Sequence, residues 1–253
     1  LATAGTAISF HYYTCDNQTN LSKQGGTVLN YLLFDFDGTI ADTYTVVEKV
    51  GMELARKHGL SIDPDETRGI GIKNALIKAD FPLWKLPALI SELKKQLNIH
   101  IQTDIKPFEE IIPVLAELST KYNLAIVSSN SKENIESFLN KHKLFSLFTF
   151  VYSDSSIFGK HAVLKRLLAK YQISPAKAIY IGDEDRDIQA SRKLGIPIIS
   201  VGWGYNTLSL LEKAEPDYLI EKPCQILDIL SGIERKSINL KKDIPNPMVR
   251  RIK

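Results

Sequence analysis

From Val28 to Phe34 the chain is apolar apart from Asn30, and it ends in the acidic, glycine-containing stretch Asp35-Phe36-Asp37-Gly38-Thr39. Similar short apolar runs cover Leu124 to Val127, Phe148 to Tyr152, Ala178 to Ile181 and Pro197 to Val201, with a shorter one at Tyr218 to Ile220. Runs of this length, closed by turn residues, predict strands buried on both faces. Between them apolar residues return at helical spacing: Ile135, Phe138 and Leu139; then Val163, Leu164, Leu167, Leu168 and Tyr171; then Ile188, Ser191 and Leu194, with Gly195 as a stop. Strands alternating with amphipathic helices predict an α/β fold, a Rossmann-like parallel sheet with helices on both faces.

The interval from Asp42 to about Thr103 breaks this rhythm, because it has helical periodicity and no convincing strand. Val46, Val50 and Leu54 share a face of one helix, with Asp42 as its expected N-cap and Gly59 as its stop. Leu86, Leu89, Ile90, Leu93 and Leu97 form a second stripe. An inserted α-helical cap is therefore expected over 42–103, within a core made of 29–41 and 104–232. Residues 1–28 read as an N-terminal extension and 233–253 as a basic C-terminal tail. The helix carrying Phe108, Ile111, Ile112, Leu115 and Leu118 contains Pro113, which predicts a kink or a later start.

Composition narrows the class without choosing it. The 253 residues are 44% hydrophobic and 24% charged, as in ordinary globular proteins. The net charge of +3 comes largely from the segment beyond Glu234, so no basic face for nucleic acid is indicated. No apolar run reaches the length of about 18 residues that a membrane span needs. Cys15 and Cys224 match no CxxC spacing or disulfide framework, and a cytoplasmic setting is the simplest expectation.

The candidate chemistry lies at the strand ends, where parallel sheets bind ligands. Asp35 and Asp37 are two residues apart, and alternation along an extended chain sends both to one side. A calcium loop of the D-x-D type does not fit, since Ile40 takes the glycine position and Val46 that of the bidentate glutamate. Ser128, Ser129 and Asn130 follow the second strand, Lys160 opens the helix after the third, and Gly182-Asp183-Glu184-Asp185-Arg186-Asp187 follows the fourth. A carboxylate approaching an anionic phosphate monoester needs cations on the phosphoryl oxygens, and Lys160 with Mg²⁺ would supply them. Mg²⁺ takes oxygen ligands, and the acids near Asp35 and Asp183 are of that kind. Ser128 can hydrogen-bond a further phosphoryl oxygen. The slowest monoester hydrolyses need accelerations of up to about 10^21, which calls for a constellation rather than a residue. Each part also has an ordinary reading: a strand-end cap for Ser128, a surface lysine for Lys160, a helix-dipole cluster for Asp183 and Asp187.

These residues resemble the four motifs of the haloacid dehalogenase superfamily, and the layout resembles its phosphoglycolate phosphatase-like branch over about Leu29 to Leu230. The likeness is strongest at Asp35 to Thr39 and from Ala178 to Gly195, and it includes Trp203-Gly204-Tyr205-Asn206. The resemblance implies a Mg²⁺-dependent phosphatase of small phosphorylated metabolites. In it Asp35 forms a phosphoaspartyl intermediate, while Asp37 protonates the leaving group and then activates water. It implies Asp35, the Asp37 carbonyl and Asp183 as metal ligands, with Asp187 supporting them, and Ser128 and Lys160 on the phosphoryl group. Thr39 and Ser129 are further candidates to bind that phosphate.

His161 stands where many relatives have proline, and its reading stays between structural and substrate-touching. Arg68, Lys73 and Asn74 meet either the polar end of a substrate or only solvent; Trp203 and Tyr205 either line the entrance or pack. A sugar phosphomutase shares the chemistry, but Tyr44 to Glu48 lacks the histidine such enzymes carry there. A dehalogenase normally lacks the acid at Asp37. A catalytically silent binding protein of the same fold is the remaining alternative.

Overall fold

The computed structural model describes residues 29–70, 76–85, 87–89, 91–92, 95–96, 105–154 and 159–242. Six strands form one sheet: β1 (Tyr31–Phe34), β2 (Asn123–Ser128), β3 (Phe148–Ser153), β4 (Ala178–Gly182), β5 (Ile198–Val201) and β6 (Tyr218–Ile220). Their order is β3-β2-β1-β4-β5-β6, and every pairing is parallel. The chain builds outward from β1 to β3, then returns to the other side of β1 for β4. That reversal opens a crevice beyond the carboxyl ends of β1 and β4, and Asp35 and Asp183 follow those two strands directly.

Two apolar layers account for the uninterrupted strands. Leu32, Phe34, Leu124, Ile126, Ile179, Ile181 and Ile199 face helices Ile111–Ser119, Lys132–Lys141 and Gln225–Lys242. Leu33, Ala125, Val127, Tyr180 and Ile198 face helices Gly159–Tyr171 and Asp185–Leu194. A strand covered on both sides has no position for water, so its sequence does not alternate.

Several local expectations change. β1 begins at Tyr31 rather than Val28; Asn30 precedes it and bridges the neighbouring strand entries, donating to Lys177 O and accepting from Asn123 N, each at 2.9 Å. Of the two outcomes expected at Pro113 the later start holds: the helix begins at Ile111, and the missing N–H falls in the first turn, where no intrahelical acceptor exists. Asp42 is not an N-cap: Thr43 occupies that place, and the Asp42 carboxylate accepts from Thr45 Oγ1 at 3.3 Å instead. Gly59 and Gly195 do follow their helices with φ of 70° and 67°. The last helix runs beyond 232 to Lys242, and Tyr122 Oη donates to Glu234 at 2.6 Å to fasten it to the core.

Within 42–103 the described residues include helices Tyr44–Lys57 and Pro64–Ile70 and a 3-10 turn at Leu83–Lys85, with no strand among them. Leu86, Ile90, Leu93 and Leu97 of the second stripe, like Lys73 and Asn74 and the segment 1–28, lie outside the described residues.

Candidate active site

The chain stops being extended at Phe34. The Phe36 carbonyl accepts from Ile40 N and Ala41 N, both at 3.0 Å, and Gly38 has φ of 75°, a conformation that suits glycine. This turn, rather than strand alternation, presents Asp35 and Asp37 to the crevice. Phe36 between them is fully buried, edge-on to Phe138 at 5.1 Å, and stabilises the turn by about 2–3 kcal/mol. Phe36 N donates back to Asp35 Oδ1 at 2.8 Å, and Asp35 N donates to Ile181 O at 2.8 Å, tying β1's end to β4's.

Lys160, in the first turn of Gly159–Tyr171, reaches back across the sheet end. Its ammonium donates to Asp35 Oδ2 and pairs with Asp187 Oδ1 at 2.5 Å, above the Tyr180 ring at 5.5 Å. Asp183 is fully buried and gripped on both oxygens: Thr39 Oγ1 donates to Oδ1 at 2.8 Å and Tyr205 N to Oδ2 at 2.7 Å. Its pairing with the loop leaves no room for a methyl group, since a Cβ on Gly204 would stand 2.2 Å from Asp183 Oδ2. Asp187 is also fully buried, and its Oδ2 accepts from Glu184 N at 3.1 Å.

Asp35, Asp183 and Asp187 therefore offer oxygens that lie within 4.8 Å of one another. Three buried carboxylates against one ammonium leave a negative excess. Burial pushes Asp183 well up, and the charges of Glu184, Asp35 and Asp187 add to that. Burial likewise lifts Asp35 to about 6 although Lys160 opposes it. An all-oxygen, anionic, enclosed set fits a small divalent cation such as Mg²⁺, which would remove that repulsion.

Asp37 stands apart from this cluster. Asn130 Nδ2 donates to both of its oxygens at 3.3 Å, and Asn130 Oδ1 is in turn held by Ser131 N at 2.8 Å. Burial and then the Asp35 charge raise Asp37 to about 6, against the hydrogen bonds from Asn130 and Thr43. A carboxyl titrating near neutrality can both give and take a proton.

The remaining sequence candidates fall differently. Ser128 is buried, and its Oγ accepts from Asn130 N at 3.0 Å, leaving its own proton for an acceptor in the cleft. Ser129 is exposed beside it. Thr39, expected on the phosphate, directs its hydroxyl proton to Asp183 Oδ1. The side chain of Asp37 is not among the clustered metal-type oxygens, which is consistent with the backbone carbonyl as the ligand that the resemblance implies. Trp203 packs: its Nε1 donates to Thr39 O at 3.2 Å and its ring lies against Phe108. Tyr205 Oη is 2.9 Å from Thr43 Oγ1. His161 is half-buried next to Lys160. Sequence reasoning gave Asn130 no role, because a short amide after a strand reads first as a turn residue.

The family model for haloacid dehalogenase-like hydrolases matches residues 32–201. A phosphoglycolate phosphatase of Synechococcus elongatus is 32% identical over 216 residues, covering 81% of this chain and 99% of that protein. The pyrophosphatase PpaX of Bacillus cereus is 23% identical over 221 residues, covering 82% and 99%. Among solved structures, a haloacid dehalogenase-like hydrolase from Streptococcus pneumoniae superposes with a TM-score of 0.70 at 23% identity, covering 80% of this chain and 98% of that one. Among the described residues no helix is long and apolar enough to cross a membrane.

Proposed function

The chain belongs to the haloacid dehalogenase-like hydrolase family, and from that premise we propose that it is a Mg²⁺-dependent phosphatase acting on a small organic phosphomonoester through a phosphoaspartyl intermediate on Asp35. The observation that carries this reading is the placement of Lys160 between Asp35 and Asp187, with Asp183 in the same cluster. Asp35, Asp183 and Asp187, with the Asp37 carbonyl, would hold the cation, which when bound neutralises phosphoryl oxygens as the carboxylate approaches.

Lys160 and the Ser128 hydroxyl orient the phosphoryl group. The Asp35 carboxylate attacks phosphorus; the bond from phosphorus to the leaving oxygen breaks, and that oxygen takes the Asp37 proton. Asp37, now a carboxylate held by Asn130, then takes a proton from water. The resulting hydroxide attacks phosphorus, inorganic phosphate leaves, and Asp35 is regenerated. The interval 42–103 acts as the cap that excludes water and selects substrate. The likeness to a phosphoglycolate phosphatase favours phosphoglycolate as substrate, and PpaX makes pyrophosphate the next compound to assay.

The test is Mg²⁺-dependent release of phosphate from an aryl phosphate. Asp35→Asn should fold and lose activity by on the order of 10^4-fold or more. Turnover by that variant at the wild-type rate would end the proposal.

A further inference from the structure

Arg68, in the helix Pro64–Ile70, reaches the loop that follows β5. Its Nη2 donates to the Gly204 carbonyl at 2.8 Å, and its guanidinium lies 5.0 Å from the Tyr44 ring centroid. Tyr44 in turn packs edge-on to Tyr205 at 5.5 Å. The next peptide N–H, that of Tyr205, is the one bound to Asp183 Oδ2, so the guanidinium stands one peptide unit from the acidic cluster.

Among the described residues the other cations around the cleft are matched with acids: Lys160 with Asp35 and Asp187, and Arg186 with Glu184. Arg68 pairs with no carboxylate among the described residues, and its Nε is shielded from solvent without an acceptor. A guanidinium carries five N–H donors in a planar fork suited to carboxylate or phosphate. Here a carbonyl and an aromatic face fix the orientation of the fork while most of its donors are unspent. A half-buried, unpaired and oriented cation is costly unless an anion arrives to share it.

We propose that Arg68 is a specificity residue that binds a second anionic group of the substrate, a carboxylate or second phosphate borne next to the phosphoryl group that is transferred. This rests on the phosphatase reading and adds what that reading lacks, a reason for the enzyme to prefer doubly anionic substrates. Tyr44 and the Gly204 carbonyl are positioning groups for the fork.

The test compares wild type with Arg68→Gln and Arg68→Lys on three substrates: phosphoglycolate, pyrophosphate and an aryl phosphate with no second anion. The ratio of kcat/KM for a doubly anionic substrate to that for the aryl phosphate should fall about 10- to 100-fold in Arg68→Gln, the worth of one charge-assisted contact, mainly through KM. Arg68→Lys should recover part of it. A fall confined to phosphoglycolate identifies a carboxylate as the bound group; one confined to pyrophosphate identifies a phosphate. An unchanged ratio, whether activity is kept or lost in parallel on all three, overturns the proposal and leaves Arg68 as a packing contact. Equilibrium binding of the same three compounds in the Asp35→Asn background, with and without Arg68→Gln, gives the same comparison without turnover. A failure of wild-type hydrolysis would therefore count against the phosphatase reading alone.

Discussion

Asp37→Asn should make the metal-free protein more stable while destroying its catalysis. Asp37 is raised from 3.8 to about 6, chiefly by burial and then by the Asp35 charge. At pH 7 the folded state must ionise a group that burial favours in its neutral form, and roughly two pH units correspond to about 3 kcal/mol. Asparagine removes that cost and still offers Asn130 a carbonyl oxygen, so about 1–3 kcal/mol should be recovered, or about 2–4 °C in Tm per kcal/mol. The sign with pH follows from the raised value. The penalty is absent below about pH 4, where the carboxyl is neutral in both states, grows between about 4 and 6, and is complete above 6. Thermal melts of both proteins in EDTA at pH 4.5 and 7.5 measure this. The variant's advantage should be largest at 7.5 and shrink at 4.5. An advantage of equal size at both pH values, or a less stable variant at 7.5, would refute the reasoning.

Three further outcomes are expected. Lys160→Ala strands Asp35 and Asp187 without their ammonium; kcat should fall about 10²- to 10³-fold, and chemical denaturation at neutral pH should show a loss of about 3–5 kcal/mol. Gly204→Ala must displace Asp183, because its Cβ would stand 2.4 Å from the Asp183 Cβ; Mg²⁺ titration of activity should show an affinity about 10- to 100-fold weaker. Asn130→Ala removes a hydrogen bond that lowers the Asp37 value, so the limb of the kcat profile governed by Asp37 should move to higher pH.

What could be read from the sequence follows from what burial does to it. The strands were legible because a sheet covered on both faces permits almost no polar residue, and β6 matches its apolar run residue for residue. Asp35, Lys160 and Asp183 were legible because a charged residue closing an apolar strand, or opening the next helix, has few structural reasons to be there. Asn130 and Thr39 were harder to read. Their roles are hydrogen bonds to acids 93 and 144 residues away, and nothing local distinguishes them from a turn amide or a strand-end hydroxyl. Arg68 is similar, since its partner Gly204 lies 136 residues along. The N-cap expected at Asp42 falls one residue later, at Thr43, the scale on which helix ends shift with tertiary packing.

The central position of β1 has a consequence for synthesis. Its two neighbours are β2 and β4, so the strand that leads into Asp35 is flanked on both sides only once β4 has been made. Thr39 and Tyr205 must close on Asp183 from 144 residues before it and 22 residues after it. A polypeptide still growing on the ribosome holds Asp35 early but has neither its lysine nor its partner acids. Asp35 therefore gains the groups that surround it only after β4 and the helix Asp185–Leu194 have been made.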